Sequence, residues 1–160
     1  MAMATSNLST EDVKGFLTKW ARAYDAGDET FFNAFAKDTS VFSVSAPTRI
    51  DGLEEYKRGF EDHFGKGNRR SQILSPEIRI EGSTAVATFH NRVSIDGHVS
   101  NLRTTLVLSG DSGGDLKIVH LHQSPLSAVA RVAPSGVGSE SVSLLEERVA
   151  TAAAAVGTPK

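Results

Sequence analysis

The hydrophobic pattern of the chain changes after Arg70, and this change restricts the folds that the sequence can form. Before Arg70, apolar residues recur at helical intervals, whereas after it they alternate as in β-strands. Short turns with glycine separate four extended segments, which are residues 71–81, 85–95, 98–108 and 115–124. Antiparallel strands can be joined by such turns, but parallel strands need longer crossovers. The second half of the chain therefore predicts an antiparallel meander.

Helical patterns fill most of the first half. A capping box of Ser9 and Asp12 precedes an apolar stripe that Gly27 interrupts, which is typical of one amphipathic helix. Two further aromatic stripes and one alternating run follow it. Together these patterns predict helices over residues 10–26, 28–37 and 53–64, and a short strand over residues 41–45. Helices followed by a meander indicate an α+β domain, with helices covering one face of the sheet.

Length, charge and cysteine content exclude several classes of protein. The 160 residues are enough for one core, and a net charge of −2 gives no field that would attract nucleic acid or anionic lipid. The absence of cysteine excludes disulfides and thiolate metal sites. No apolar run approaches the ~18 residues of a membrane span. We therefore expect a soluble, cytoplasmic protein with neither nucleic acid nor membrane as partner.

Composition divides the chain into three parts. We expect a flexible N-terminus over residues 1–9 and a single domain over residues 10–130. Residues 131–160 are rich in small residues and form a linker with an Ala-rich tail that has the pattern of a short helix. An isolated helix of this kind is marginal in water, so the tail is either frayed or docked.

The densest cluster of polar side chains lies in the last predicted strand. Alternation there places His120, His122 and Ser124 on one face, together with Ile118. If this face looks into a cavity, the two imidazoles could act as general base and general acid. Structural histidines, or histidines at a subunit interface, are an open alternative. A metal site would need a third ligand that the spacing does not supply, so we expect neither metal nor cofactor.

Arg103, in the preceding strand, could share the histidine face if the register permits, and its guanidinium would suit a carboxylate or an enolate. An exposed strand arginine with an ion-pair partner is the alternative. Aromatic residues on the inward helix faces are expected in the core, and several of them could also line the mouth of a pocket. The pocket candidates are Trp20, Tyr24, Tyr56 and Phe60.

The outer face of the sheet provides a second hypothesis. Apolar or β-branched residues occupy positions that could point outward, and an exposed apolar sheet face usually seeks a partner. These residues are Val99, Thr105, Val107, Val119 and Leu121. They favour a homodimer or a larger homo-oligomer.

Five segments together resemble the nuclear transport factor 2 superfamily over about residues 10–126. They are WARAYDAGDETFFNAFAKDTSVF, IDGLEEYKRGF, ILSPEIRIEGSTAVATF, LRTTLVL and KIVHLHQS. Within the superfamily the pattern is most similar to SnoaL-like proteins and to the association domain of calcium/calmodulin-dependent protein kinase II. The resemblance implies a cystatin-like cone, in which a curved antiparallel sheet wraps around helices and an apolar cavity. It also implies subunits that pair through the outer sheet face.

The functional implications of the resemblance remain open. Ketosteroid isomerases of the superfamily have an Asp base where this chain has about Ser43, and a phenolic donor near Trp20. The leading hypothesis is a small-molecule-binding protein that acts on an apolar carbonyl compound by proton transfer, as an isomerase, cyclase or dehydratase. His122 would be base or acid, His120 would orient it or titrate as the second group, and Ser124 with Arg103 would hold the oxyanion.

Two alternatives stand beside this hypothesis. One is a non-enzymatic module that oligomerises or binds a ligand, as in the kinase association domain. The other is an activity like that of iota-class carbonic anhydrases, whose terminal run of His and Ser resembles HLHQS.

Overall fold

The computed structural model describes residues 7–111 and 114–126. Within these ranges the chain forms three helices and a six-stranded sheet. In chain order the elements are α1 (Thr10–Ala26), α2 (Thr30–Asn33), β1 (Phe35–Phe42), β2 (Ile50–Asp51), α3 (Leu53–Arg58), β3 (Arg69–Glu81), β4 (Thr84–Ile95), β5 (His98–Gly110) and β6 (Leu116–Pro125). The predicted boundary at residues 130/131 and the C-terminal tail lie outside the described residues. No helix in the described ranges is long and apolar enough to cross a membrane.

The sheet has the strand order β2-β1-β6-β5-β4-β3. Strands β3 to β6 form the predicted antiparallel meander. Strand β1 extends it by pairing parallel with β6, and β2 pairs antiparallel with β1 at the edge. The predicted α+β class is confirmed.

A bulge in β3 contributes to the curvature of the sheet. Ser75 and Pro76 together oppose a single residue of β4, and Ser75 has a positive φ of 50°. Bulges bend a strand and increase its local twist. The bulge also changes which residues face inward, from Ile73 before it to Ile78 after it. The inner face of the sheet is therefore concave.

Helix α1 lies across this concave face against β3. Its N-terminus has the predicted capping box, in which the Ser9 hydroxyl accepts from the Asp12 backbone N–H at 3.1 Å. Val13, Leu17 and Trp20, spaced four and three residues apart, are its buried residues. They pack with the inward residues of β1, β4, β5 and β6 in one core.

The helical layer is joined by aromatic contacts centred on Phe31. Its ring centroid lies 5.7 Å from Trp20 and 5.3 Å from Tyr24 of α1. It also lies 6.0 Å from Phe60 and 5.7 Å from Phe64, which follow α3. Each such pair contributes about 0.5–1.5 kcal/mol beyond the burial of its area. Phe31 thus connects α1, α2 and the segment after α3.

Two of the three predicted helices are shorter than expected. Helix α2 ends at Asn33, because Phe35, Thr39 and Val41 are buried as inward residues of β1. The predicted strand 41–45 is therefore wrong in its bounds, since β1 begins at Phe35 and ends at Phe42. Helix α3 ends at Arg58, where Gly59 follows. The turns that follow α3 still bring Phe60 and Phe64 against the core. Their helical spacing is therefore compatible with burial even though the helix does not continue to residue 64.

Two glycines fix the position of the end of α1. Gly27 ends the helix with φ of 63°, and its Cα faces that of Gly65 in the turn before β3. A Cβ on Gly27 would lie only 2.4 Å from the Gly65 Cα. The contact between α1 and this turn therefore requires glycine at residue 27.

We expect Gly27→Ala to lower the free energy of unfolding by about 2–5 kcal/mol, because it combines left-handed backbone strain with a backbone clash. Gly82→Ala is the matched control, since Gly82 has φ of 61° but nothing within 4 Å of an added Cβ. Gly82→Ala should lower the free energy of unfolding only by the cost of the backbone strain, about 1–2 kcal/mol. Urea unfolding of both variants checks this, and equal losses would contradict the role of the Gly27–Gly65 contact.

Candidate functional site

A cavity of about 340 Å³ lies between the helical layer and the concave face of the sheet. Helix α1, the segment from α3 to His63, the loop after β1, and inward residues of β3 to β6 line it. This volume is within the range of sites for small organic molecules, about 300–1,000 Å³.

The four aromatic pocket candidates all line this cavity: Trp20, Tyr24, Tyr56 and Phe60. Burial raises the pKa of the Tyr56 phenol well above its usual range, and the nearby Tyr24 adds to the rise. Burial likewise raises the pKa of Tyr24, with a smaller opposing effect of the Arg69 cation. Both phenols therefore stay protonated at neutral pH and can donate hydrogen bonds.

Polar side chains from the sheet also reach the cavity wall. Asn91 of β4 and Gln123 of β6 line the cavity, together with the serines Ser71 and Ser100. Asn91 is only 6 % exposed, and its Oδ1 atom has no hydrogen-bond partner among the described residues. The buried Nε1 of Trp20 also has no hydrogen-bond partner among the described residues. The wall thus contains one acceptor and one donor that the described part of the protein leaves unsatisfied.

The cavity is otherwise almost free of ionisable groups. None of its lining residues in the described ranges is Asp, Glu, Lys or Arg. Among the described residues that line the cavity, His63, in the turns after α3, is the one histidine. Its ring packs against that of Phe60 at 5.4 Å between centroids. Ser43, which the resemblance placed near the position of the isomerases' base, also lines the cavity.

The expectation that the β6 histidines look into this cavity is wrong. Val107 pairs with His120 and Leu108 with Ile118, so Val119 is an unpaired bulge residue. The bulge interrupts the alternation. Ile118 and Leu121 are fully buried in the core, while His120 and His122 lie on the outer face. Leu121 is accordingly not one of the outward residues expected from the sequence.

On the outer face, three of the four predicted catalytic residues come together. The register pairs Arg103 with Ser124, and His122 with Thr105. Arg103, His122 and Ser124 border an open depression, together with Glu77 and His90. They are on the opposite side of the sheet from the four aromatic residues. Their catalytic role stays a prediction.

The fourth predicted residue, His120, lies further along the same face. Its Nδ1 is 2.7 Å from the Ser40 hydroxyl of β1. The ring of Phe42 lies 5.6 Å from that of His120 and 5.3 Å from that of His122. Both imidazoles therefore belong to the seam between β1 and β6. Within residues 7–111 and 114–126, no three His, Cys, Asp or Glu side chains converge as a metal site would require.

The sequence reasoning missed Asn91 and His63. Asn91 had a detectable signal, because it interrupts an apolar stripe on β4 that includes Ala87, Phe89 and Val93. A polar residue within such a stripe indicates a polar atom inside the fold. His63 had no comparable signal, since its position depends on the turns that follow the early end of α3.

A curved sheet enclosing helices and an aromatic cavity defines the nuclear transport factor 2-like class of α+β proteins. Within this class the chain belongs to the SnoaL-like domain family, whose model matches residues 13–128. No curated protein matches the chain.

Several solved structures share the fold. A candidate ketosteroid isomerase from Parabacteroides distasonis ATCC 8503 is 20% identical, with a TM-score of 0.64 over 79% of this chain and 96% of that chain. A candidate calcium/calmodulin-dependent protein kinase II association domain from Xanthomonas campestris is 18% identical, with a TM-score of 0.67 over 80% and 95%. A protein of unknown function with a cystatin-like fold from Nostoc punctiforme PCC 73102 is 14% identical, with a TM-score of 0.63 over 79% and 99%. At these identities the likeness establishes the fold alone.

We expect Asn91→Leu to raise the free energy of unfolding by about 1 kcal/mol, because it replaces an unsatisfied buried acceptor with an apolar side chain of similar size. Its cross-strand neighbour is Leu102, which is also apolar. Asn101→Leu, on the opposite face of β5, is the control and should change stability by less than about 0.5 kcal/mol. Denaturant unfolding measures both, and a clear loss of stability in Asn91→Leu would show that its amide is satisfied.

Proposed function

We propose that this SnoaL-like chain binds a small, uncharged and largely apolar organic molecule in the cavity between α1, α3 and the sheet. The observation that supports this most strongly is the composition of the wall, in which the described lining residues supply aromatic rings and several neutral polar groups but no carboxylate or ammonium. Apolar burial supplies affinity, about 25 cal/mol per Å² of surface removed from water. A few placed polar groups supply orientation.

The polar groups favour a ligand with a carbonyl or hydroxyl oxygen. Tyr24 and Tyr56 offer O–H donors, and their raised pKa values keep the protons in place. Trp20 and Asn91, which line the same wall, carry a donor and an acceptor that are buried and have no partner among the described residues. A neutral ketone with an apolar ring system can accept hydrogen bonds from the phenols, whereas the Asn91 Oδ1 requires a ligand hydroxyl that donates. The relative named as a candidate ketosteroid isomerase is consistent with a ligand of this kind.

The bicyclic ketone 2-tetralone is a suitable probe, and Trp20, the single tryptophan of the chain, is the reporter. We expect titration with 2-tetralone to quench the Trp20 fluorescence saturably, because the indole lines the cavity. Val93→Phe, which adds a ring to the cavity wall, should weaken this binding by at least about tenfold through lost space.

Val86→Phe is the matched control, because Val86 is on the opposite face of the same strand and pairs with Val107. It should bind 2-tetralone like the parent protein. Quenching that does not saturate, or equal binding by Val93→Phe, would count against the cavity as the ligand site.

A second candidate function is self-association through the outer sheet face. Phe42 is 42% exposed there, next to the two imidazoles of β6. The half-buried Val86, Val99 and Val107 lie on the same face. The solved relatives include a kinase association domain, which supports a homodimer or a larger homo-oligomer as the use of this face.

For this candidate we expect Phe42→Asp to shift the protein toward monomer in sedimentation equilibrium at micromolar concentrations, because it replaces the exposed ring on the outer face with a charged carboxylate. Val44→Asp is the control, since Val44 is 51% exposed but borders the cavity instead of the outer face. A parent protein that sediments as a monomer, or equal effects of both variants, would contradict this use of the outer face.

A further inference from the structure

We propose that the depression on the outer face of the sheet binds the phosphate group of a small molecule, with the Arg103 guanidinium as its main contact. The inference goes beyond the proposed function, because this site lies on the opposite side of the sheet from the cavity and requires no ligand there. The main observation is that a guanidinium, two imidazoles and a hydroxyl converge on one patch, where Arg103, His90, His122 and Ser124 border the depression.

The strand register places these groups side by side. His90 of β4 pairs with Arg103 of β5, and Arg103 pairs with Ser124 of β6. Since neighbouring strands lie about 4.7–4.9 Å apart, this row of three side chains spans about 10 Å. The next row on the same face consists of Thr88, Thr105 and His122. Polar side chains from three strands therefore border the same small area.

Arg103 has no counterion among the described residues. The ion pairs there join Lys14 to Glu11, Arg49 to Asp51 and Lys57 to Glu29. The residue opposite Arg103 on β4 is His90, whose imidazole adds a second positive charge when it is protonated. Like charges that face each other across a strand pair are unfavourable. A bound anion offsets this repulsion and occupies guanidinium donors that have no carboxylate partner in the described part of the chain.

The donors suit a phosphate group better than a carboxylate. The planar guanidinium offers parallel N–H groups to a phosphate. The hydroxyls of Thr88, Thr105 and Ser124 supply further donors. A phosphate monoester has about three strong acceptor oxygens and more negative charge than a carboxylate, so it uses more of these donors. The depression has a volume of about 660 Å³. Sites for small organic molecules have about 300–1,000 Å³, so an organic group fits beside the phosphate.

Glu77 determines the side of the depression on which the anion binds. It is the one acidic residue among the described residues that border the depression, and it pairs with Thr88 from β3, so β4 separates it from Arg103. Its carboxylate repels an anion, which therefore binds toward β5 and β6. Phe42, the residue proposed for self-association, does not border the depression, so the two uses of the outer face are tested by separate variants.

The test is isothermal titration calorimetry of the parent chain with inorganic phosphate, glycerol 3-phosphate and acetate. We expect saturable binding of both phosphates. Arg103→Gln should weaken it at least about tenfold through the loss of charge-assisted hydrogen bonds. Because Arg103 is exposed, its replacement does not disturb the core. Arg79→Gln is the matched control, since Arg79 pairs with Val86 on the same outer face but does not border the depression. It removes the same charge and should change the affinity by less than about threefold.

Glu77→Gln should have the opposite effect. It removes the repelling carboxylate, so it should tighten phosphate binding by about two- to fivefold. Tighter binding of glycerol 3-phosphate than of inorganic phosphate would identify an organic phosphate as the ligand, and equal binding would identify free phosphate. The inference is overturned if neither phosphate saturates the parent, if acetate binds as tightly as phosphate, if Arg103→Gln binds like the parent, or if Arg79→Gln loses as much affinity as Arg103→Gln.

Discussion

The packing of aromatic rings around Phe31 is the interaction on which the cavity depends. Trp20, Tyr24 and Phe60 each contact Phe31 and each line the cavity. The same contacts therefore hold the helical layer together and form one side of the cavity. With about 0.5–1.5 kcal/mol for each ring pair, the cluster is comparable to a substantial fraction of the stability of a typical domain. A wall fixed in this way is largely formed before a ligand arrives, so little binding energy is spent on ordering it.

Local patterns predicted the parts of the fold that local interactions determine. Helix α1 carries its own capping box and terminal glycine, and the strands of the meander are joined by short turns, so their bounds follow closely from the sequence. The parallel pairing of β1 with β6 was not predictable in this way. Ser40 and His120 are 80 residues apart and have no shared local pattern. Burial of Phe35, Thr39 and Val41 in that pairing overrides the helical spacing of the phenylalanines before it.

A single bulge residue explains why the aromatic lining of the cavity could be predicted and the face of the β6 histidines could not. Trp20, Tyr24, Tyr56 and Phe60 are inward on their own elements, so helical periodicity was sufficient to bring them together. The β6 residues required knowledge of the register. A strict alternation from Ile118 to Ser124 predicts that His120 lies on the same face as Ile118. Because Val119 is left unpaired in the structure, His120 and the residues after it lie on the opposite face from the one that this alternation predicts. Since the period of a strand is two, one extra residue exchanges inside and outside.

The two faces of the sheet consequently have different chemistry. The outer face carries imidazoles, a guanidinium and exposed Phe42, which suits contact with another surface. The inner face carries uncharged polar groups whose hydrogen bonds are incomplete. An unsatisfied buried group costs about 1–3 kcal/mol, and a ligand that satisfies it recovers part of this cost. A ligand lacking such an oxygen gains only the burial of its apolar area. For the ligand proposed above, hydrogen bonds donated by the two phenols would favour a ketone over the hydrocarbon of the same shape, and none of the described lining residues is Asp, Glu, Lys or Arg.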